Sequence, residues 1–249
     1  MKRIILLLLA LMSGVILFAQ EKNTIQDHNP DLRDYYPKRF ISKFEVFGGP
    51  NVSWFWGDES LSDRVGRVGY SAGVGFYHTL SRHLDINLKI YLDQKGSKVD
   101  YDGISYDDPD NPNIFHNYRY IQAYELSYFT FSVLLQYYFG KHKKIFLGSG
   151  FSASYLGKSV TWTKFYREGV YIQYYRANDI NAYKKYDVGI AMTIGYNIYT
   201  DEKIRLYFQL LNNLSLLNIR NPDIPATPLK NNVITFMVGI ILNNKLETR

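Results

Sequence analysis

A stretch of basic and aromatic residues between positions 158 and 185 carries the clearest binding chemistry in the sequence. Lys164, Arg167 and Arg176 lie there among several aromatic side chains, and basic residues outnumber acidic ones six to two. A guanidinium group matches the oxygens of a phosphate with two parallel hydrogen bonds. We therefore predict that these three side chains contact phosphate groups or an acidic partner. The alternative is a plain extension of strands, whose basic side chains lie along an apolar surface.

Catalytic and metal-binding chemistry is poorly represented in the sequence. The absence of cysteine excludes disulfides, thiolate metal sites and cysteine nucleophiles. Of the five histidines, only His116 falls in a long connection that we place, below, at the outward-facing end of a predicted barrel. Its sequence neighbours supply no nucleophile. Asp107, Asp108 and Asp110 offer oxygen ligands suited to calcium, but their spacing and two nearby prolines favour a solvated turn. We predict no catalytic residue, no metal and no cofactor.

The first 19 residues predict export from the cytoplasm. Lys2 and Arg3 precede an apolar stretch that runs from Ile4 to Ala19, which is typical of a cleaved signal peptide. Three further segments follow, namely a polar linker at 20–42, a β domain at 43–242 and a C-terminal tail at 243–249. Export argues against nucleic acid as a partner, although cationic aromatic surfaces bind single strands in other settings.

After residue 42 the dominant pattern is the alternation of apolar and polar residues. It is clearest in the segment LDINLKIYLD at 84–93. Similar runs occur at about 43–54, 67–79, 122–139, 144–157, 184–198, 203–217 and 231–242. Short connections alternate with long ones at about 55–66, 94–121, 158–183 and 218–230. This rhythm predicts an all-β fold, an eight-stranded antiparallel up-and-down transmembrane β-barrel with short periplasmic turns and long extracellular loops.

Three features favour a barrel whose apolar side chains face lipid. The polar faces contain very small residues such as Gly69, Gly73 and Gly75, which suit a narrow lumen. The apolar faces rarely carry a charge, and aromatic residues lie near the strand ends. The alternative is a soluble, lipocalin-like carrier with an apolar interior. In the membrane barrel the lumen would hold a polar network of Glu45, Asp85, Lys89, Asp93, Asp187 and Arg205, with Asn51, Gln136 and Gln209.

Several segments of the sequence resemble the PorT-like outer-membrane β-barrel family of Bacteroidota-type envelopes. They are GGPNVSW at 48–54, LDINLKIYLDQKGSKV at 84–99, LLQYYFGKHKKIFLGSGFSASYLG at 134–157, YDVGIAMTIGYNI at 186–198 and VITFMVGIIL at 233–242. The resemblance implies an eight-stranded barrel in the outer membrane, with no cofactor and no catalytic residues. Some members of that family resemble accessory parts of a protein-secretion apparatus. One departure is the C-terminus, which continues past Leu242, whereas many such barrels end on an aromatic residue.

These observations together predict a small integral outer-membrane protein with a structural or interaction role and no enzymatic activity. Its partners would be outer-membrane lipid, lipopolysaccharide through Lys164, Arg167 and Arg176, and another envelope or secretion protein. Three alternatives stay open. They are an accessory component of a secretion machinery, a lipid-modifying enzyme that depends on His116, and the soluble carrier.

Overall fold

The computed structural model describes residues 42–57, 64–81, 83–106, 115–140, 143–199, 204–223 and 227–243. The predicted signal peptide and nearly all of the predicted linker lie outside these ranges, and so does the acidic turn with Asp107, Asp108 and Asp110. Within the described ranges, no helix is long and apolar enough to cross a membrane.

The described residues form ten strands and a single turn of 3-10 helix. The strands are β1 Ser42–Trp56, β2 Arg64–Val65, β3 Arg67–Ser81, β4 Leu84–Tyr106, β5 Phe115–Phe139, β6 Ile145–Arg167, β7 Val170–Ala177, β8 Tyr186–Tyr199, β9 Ile204–Ser215 and β10 Lys230–Asn243. The 3-10 turn, Ile180–Ala182, lies between β7 and β8. The described structure is therefore all-β apart from this turn.

Eight of the strands close into a ring by antiparallel pairing. The order around the ring is β1, β3, β4, β5, β6, β8, β9 and β10, and β10 pairs with β1 to complete it. β2 pairs only with β4, and β7 only with β6, among the described residues. Consecutive ring strands are neighbours throughout, which confirms the predicted eight-stranded up-and-down barrel.

The two ends of the ring differ, as predicted. Lys43 pairs with Asn243 at the same end as the three short connections, which follow β3, β5 and β8. The long excursions leave from the opposite end. In outer-membrane barrels, short turns and both chain termini face the periplasm, and the long loops face outward.

Side chains alternate between the lumen and the outer surface along each strand. On β4, Leu92 is 57% exposed whereas Asp93 beside it is 2% exposed. The outer surface of the ring carries aliphatic and aromatic residues such as Phe151 and Phe236, and the lumen is lined mainly by polar ones. This arrangement confirms the apolar-out prediction. The alternative of a soluble carrier with an apolar cavity is therefore wrong.

Three strands are much longer than the sequence pattern suggested. Residues 94–121 and 158–183 were expected to be long loops, but the β4–β5 hairpin stays paired as far as Tyr106 opposite Phe115. β6 likewise continues to Arg167 and turns into β7. The pairing continues because tyrosines and other strand-forming residues replace the aliphatic ones, so the strand propensity persists after the apolar alternation ends.

These extensions carry the wall past the end of the β6–β8 pairing, and their first residues, among them Lys95 and Leu126, still face the lumen. We call residues 94–106 of β4, 115–127 of β5, 158–167 of β6 and all of β7 the outer sheet. Thirteen extended residues span about 40 Å along a strand. The part of the outer sheet that follows the lumen-facing residues therefore extends past the apolar belt on one side of the barrel.

Candidate functional site

The part of the lumen nearer the short-turn end of the barrel is built around a buried ion pair. Lys89 Nζ lies 3.0 Å from Glu45 Oε1, and both side chains are fully buried. The hydroxyls of Tyr77 and Tyr207 donate hydrogen bonds of 2.9 and 2.8 Å to Glu45 Oε2. Lys89 also donates to Gln209 Oε1 at 3.2 Å. Each charge thus has an opposite charge and neutral hydrogen-bond partners, as a buried pair requires.

A second group of charges lies higher in the lumen. Lys95 Nζ sits 3.7 Å from a carboxylate oxygen of Asp93 and 3.7 Å from one of Asp187. Ser71 Oγ donates to Asp93 at 2.6 Å, and Ser215 donates to Asp187. Lys95 was missed by the sequence analysis because it lies beyond the run of alternation that ends at residue 93. Its lumen position follows from the longer β4.

The structure places the residues of the predicted lumen network in separate layers. Glu45, Asp85, Lys89, Asp187 and Arg205 are all buried. Asp85 pairs with Lys43 at 3.1 Å near the short-turn end, below the Glu45–Lys89 pair. The position of a residue along its strand sets its depth in the lumen, so these ion pairs lie at different depths. A list of lumen-facing residues does not contain this information.

The lumen glycines confirm the expected lack of space. A Cβ atom built on Gly75 would overlap the Glu45 carboxylate, and one on Gly239 would lie 2.5 Å from the Tyr207 ring. Only glycine at these two positions leaves room for the large polar side chains opposite. The small residues of one strand therefore accommodate the tyrosines and charges of another.

Above the charged layers, an apolar cluster occupies the outer part of the lumen. Its members are Phe55, Leu126, Tyr128, Leu156, Tyr183, Ile219 and Leu229. Tyr183 and Ile219 come from the segments that follow β7 and β9, which therefore fold inward. Backbone hydrogen bonds join these segments, from Lys184 N to Ile219 O at 2.7 Å and from Asn221 N to Ala182 O at 3.0 Å. We call this cluster the cap, and no sequence signal pointed to it.

Two of the three predicted phosphate-contacting residues lie on the same face of the outer sheet. Trp162 of β6 stands opposite Arg176 of β7, and Lys164 stands opposite Tyr174. Lys164 and Arg176 are thus diagonal neighbours, and the Lys164 ammonium lies 5.5 Å from the Trp162 ring. Two cations beside an aromatic ring form a compact positive surface on the outside of the molecule.

Arg167 is separated from these two cations. It lies three residues after Lys164 on β6, so its side chain is on the opposite face. Its guanidinium lies 5.9 Å from the Tyr118 ring. There it borders a shallow cavity of about 490 Å³ whose lining includes Tyr101, Tyr118, Tyr120, Phe165 and Ile172. The structure therefore divides the predicted basic cluster between two faces.

His116 lies near an acidic residue that is distant in sequence. Its Nδ1 atom is 3.6 Å from Glu168 Oε1. The same carboxylate accepts a hydrogen bond of 2.8 Å from the backbone N–H of Asn117. Glu168 and Gly169 both have positive φ, 49° and 76°, in the tight turn between β6 and β7. Glu168 thus fastens this turn to β5. Among the described residues, no group of three or more acidic or histidine side chains is arranged to hold a metal.

A further ion pair braces the outer sheet. Arg119 donates two hydrogen bonds to Asp100, from Nε at 2.9 Å and from Nη2 at 3.1 Å. Lys98 also donates to this carboxylate at 3.0 Å. The Arg119 hydrogen bonds, aided by Lys98, lower the pKa of Asp100 from its usual 3.8 to about 2. This carboxylate is therefore charged at every physiological pH.

Comparison with known proteins identifies one domain family. The model of a family described as "outer membrane protein beta-barrel domain" matches residues 18–221. The sequence matches no curated protein.

Solved structures of similar architecture include three outer-membrane barrels. Neisserial surface protein A is 8% identical, covering 82% of this chain and 97% of that one, with a TM-score of 0.41. OprG from Pseudomonas aeruginosa is 12% identical, covering 83% and 97%, with a TM-score of 0.40. AlkL is 10% identical, covering 86% and 97%, with a TM-score of 0.41. At this level of similarity, none of these likenesses carries a conclusion about function.

Proposed function

Because the chain belongs to the outer membrane protein β-barrel domain family, we propose that it is a closed, non-enzymatic outer-membrane anchor that presents its outer sheet to a partner. The observation that carries this proposal is the contrast between the two parts of the molecule. The described lumen is occupied by packed side chains, whereas the outer sheet is long and exposes aromatic residues to its surroundings.

The occupied lumen supports an anchor rather than a pore. Eight strands enclose a space just wide enough for side chains. The Glu45–Lys89 and Lys95–Asp187 layers lie across that space, and the cap lies above them. These ion pairs join strands that are not neighbours in the ring, β1 with β4 and β4 with β8, so their side chains cross the lumen and leave little room for a solute.

The surface of the outer sheet supports a binding role. Five exposed residues of β7 are large and apolar or aromatic, namely Val170 at 63%, Tyr171 at 52%, Ile172 at 53%, Tyr174 at 47% and Tyr175 at 61%. Aromatic residues are enriched in binding interfaces, and contiguous exposed apolar patches mark such interfaces. A surface of this composition beyond the membrane is suited to a protein or lipid partner.

The test is affinity purification of the tagged protein from cross-linked, detergent-solubilised envelopes, followed by mass spectrometry. A trimmed variant that lacks residues 161–177 removes β7 and its partner segment of β6. We expect an envelope protein to co-purify with the full chain and to be lost with the trimmed one. Heat-modifiable mobility in gel electrophoresis would verify that the trimmed barrel still folds. A partner retained equally by both forms would contradict the proposal.

A second candidate function, binding of lipopolysaccharide phosphates, is favoured by the diagonal placement of Lys164 and Arg176 on one face, beside Trp162. Phosphate binding by two cations is strongly dependent on salt. Replacing both residues by Glu should remove co-purifying lipopolysaccharide and its salt dependence. Arg167→Glu is the matched control, because Arg167 lies on the other face and should have a smaller effect. Unchanged lipopolysaccharide in the double variant would refute this function.

Two finer assignments rest on other grounds. The PorT-like affiliation, and with it an accessory role in secretion, is supported by the sequence segments that resemble that family. Recovery of a secretion component in the purification above would support it. The enzymatic alternative depends on His116, which Glu168 approaches. Activity on envelope lipids that disappears in the His116→Ala variant would replace the interaction role with catalysis.

A further inference from the structure

We propose that the free edge of β7 binds an extended acidic segment of a partner protein as an added β-strand. This inference rests on the proposed function, since it specifies how the outer sheet recognises its partner. Added strands obtain affinity from main-chain hydrogen bonds and specificity from alternate side chains. β7 offers exposed side chains and one backbone edge with which no other described strand pairs.

The edge of β7 is open because the chain leaves the sheet after Ala177. β8 would be the next strand of the wall, but its pairing with β6 begins only at Tyr186 opposite Tyr155. Between the two strands the chain turns through Ile180–Ala182 and buries Tyr183 in the cap. β7 is consequently paired with β6 on one side, and no other described strand pairs with it.

This edge lacks most of the features that protect natural edge strands. Such edges are usually short, contain proline or inward-pointing charges, or carry lysines. β7 has eight residues, no proline and a single charge, Arg176. Its register with β6 shifts once, near Tyr171, and then runs without interruption from Gln173 to Ala177. A proline-free edge whose register is unbroken from Gln173 to Ala177 is a template for strand addition.

The charge around the edge indicates the chemistry of the partner. Residues 158–177 contain four basic side chains, Lys158, Lys164, Arg167 and Arg176, and one acidic one, Glu168. An added strand would run alongside this positive hairpin, so acidic residues in it would be attracted. Apolar or aromatic residues at the alternate positions would pack on the exposed tyrosines.

A second copy of the chain fits this edge less well. Copies in one membrane are related by an axis along the membrane normal, which would place the two β7 strands parallel. Parallel pairing is slightly less stable per residue than antiparallel pairing. Both hairpins would also carry the same net positive charge. The occupant we infer is therefore a separate acidic segment.

The experiment uses the full protein in lipid nanodiscs and a nine-residue synthetic peptide that alternates Glu with Val and Tyr. A matched peptide carries proline at its centre, and a third has Lys in place of Glu. We expect the acidic peptide to bind roughly tenfold more tightly than either control. Hydrogen–deuterium exchange should show new protection at every second amide between Gln173 and Ala177, because alternate N–H groups of a strand face each edge.

Two results would overturn the inference. One is equal binding by the proline peptide, and the other is the absence of alternating protection in β7, whether or not the peptide binds. Adjacent variants Gln173→Pro and Tyr174→Pro supply an internal control, since only one of them removes an N–H from the open edge. The variant that removes the N–H from the open edge leaves the β6 amides protected from hydrogen exchange, and it should abolish peptide binding.

Failure of this inference can be told apart from failure of the proposed function. If the envelope partner is lost on trimming residues 161–177 but retained by the edge proline variant, the outer sheet binds its partner by side chains and strand addition is wrong. If the partner is retained by both variants, the proposed function itself is wrong.

Discussion

At the scale of single residues, the buried charges of the Glu45–Lys89 pair are tolerated because each charged group has an oppositely charged partner and hydrogen bonds. Glu45 is held by Lys89 and by two tyrosine hydroxyls, and all four side chains are almost fully buried. Removing one charge of such a pair leaves the other without compensation in a medium of low dielectric constant. The pair is therefore a point where a single substitution has a large effect.

We predict that Glu45→Gln lowers the free energy of unfolding by about 3–5 kcal/mol, because Lys89 is then buried without an opposite charge. The double variant Glu45→Gln with Lys89→Met should recover most of that loss, since it buries no net charge. Urea unfolding of the barrel in lipid vesicles, followed by tryptophan fluorescence, measures both changes. Equal destabilisation by the single and double variants would show that the pair is not the cause.

On the outer sheet, the Asp100–Arg119 pair predicts a specific pH dependence. The pKa of Asp100 in the folded protein, about 2, lies below its usual 3.8, so folding favours the charged carboxylate. The stabilisation is present above pH 3.8 and is lost as the pH falls through 2. An NMR titration of the Asp100 carboxyl should therefore show a midpoint near 2. Arg119→Gln should return the midpoint toward 3.8, and an unchanged midpoint would exclude Arg119 as the cause.

At the scale of elements, the size of the side chains on a ring strand is limited only on the face that points into the lumen. Gly75 on β3 faces the Glu45 carboxylate, and Ala72 on the same strand is exposed on the lipid side. Gly75→Ala should destabilise the barrel by about 1–3 kcal/mol through overpacking. Ala72→Val should change stability by less than about 0.5 kcal/mol. The same unfolding assay measures both, and a larger effect at Ala72 would reverse the assignment of the two faces.

The sequence predicted the ring strands well because half of each strand must match lipid. That constraint produces strict alternation, as at Leu88, Lys89 and Ile90, and it located all eight ring strands. Beyond the membrane both faces of a strand meet water or protein, and the alternation weakens. The extensions of β4, β5 and β6 were consequently expected to be loops, although their tyrosines favour strands.

The candidate site was predictable only in part for a related reason. Composition alone indicated that Lys164, Arg167 and Arg176 belong to a basic aromatic surface. The face on which each side chain lies depends on whether its position in the strand is odd or even. That alternation could be applied only once residues 158–167 were known to form a strand. The cap depends on Tyr183 and Ile219, which are 36 residues apart and meet only because two loops fold inward. No local pattern encodes such a contact.

At the scale of the molecule, the described residues form a closed barrel that supports an external sheet. We predict that the protein reconstituted in planar lipid bilayers gives no stable conductance steps. The Glu45–Lys89 and Lys95–Asp187 layers and the cap leave little path for ions. A porin of 16 strands in the same membrane is the positive control, because barrels of that size enclose an aqueous channel. Reproducible open-channel steps from the purified barrel would contradict the closed state.

The most direct test of the central claim is the location of the outer sheet relative to the cell. The natural sequence has no cysteine, so single-cysteine variants give an unambiguous signal. Tyr174→Cys places a thiol on β7, and Leu80→Cys places one at the short-turn end. A membrane-impermeant maleimide should label Tyr174→Cys on intact cells and Leu80→Cys only after the outer membrane is permeabilised. Labelling of Leu80→Cys on intact cells, with protection of Tyr174→Cys, would contradict the account.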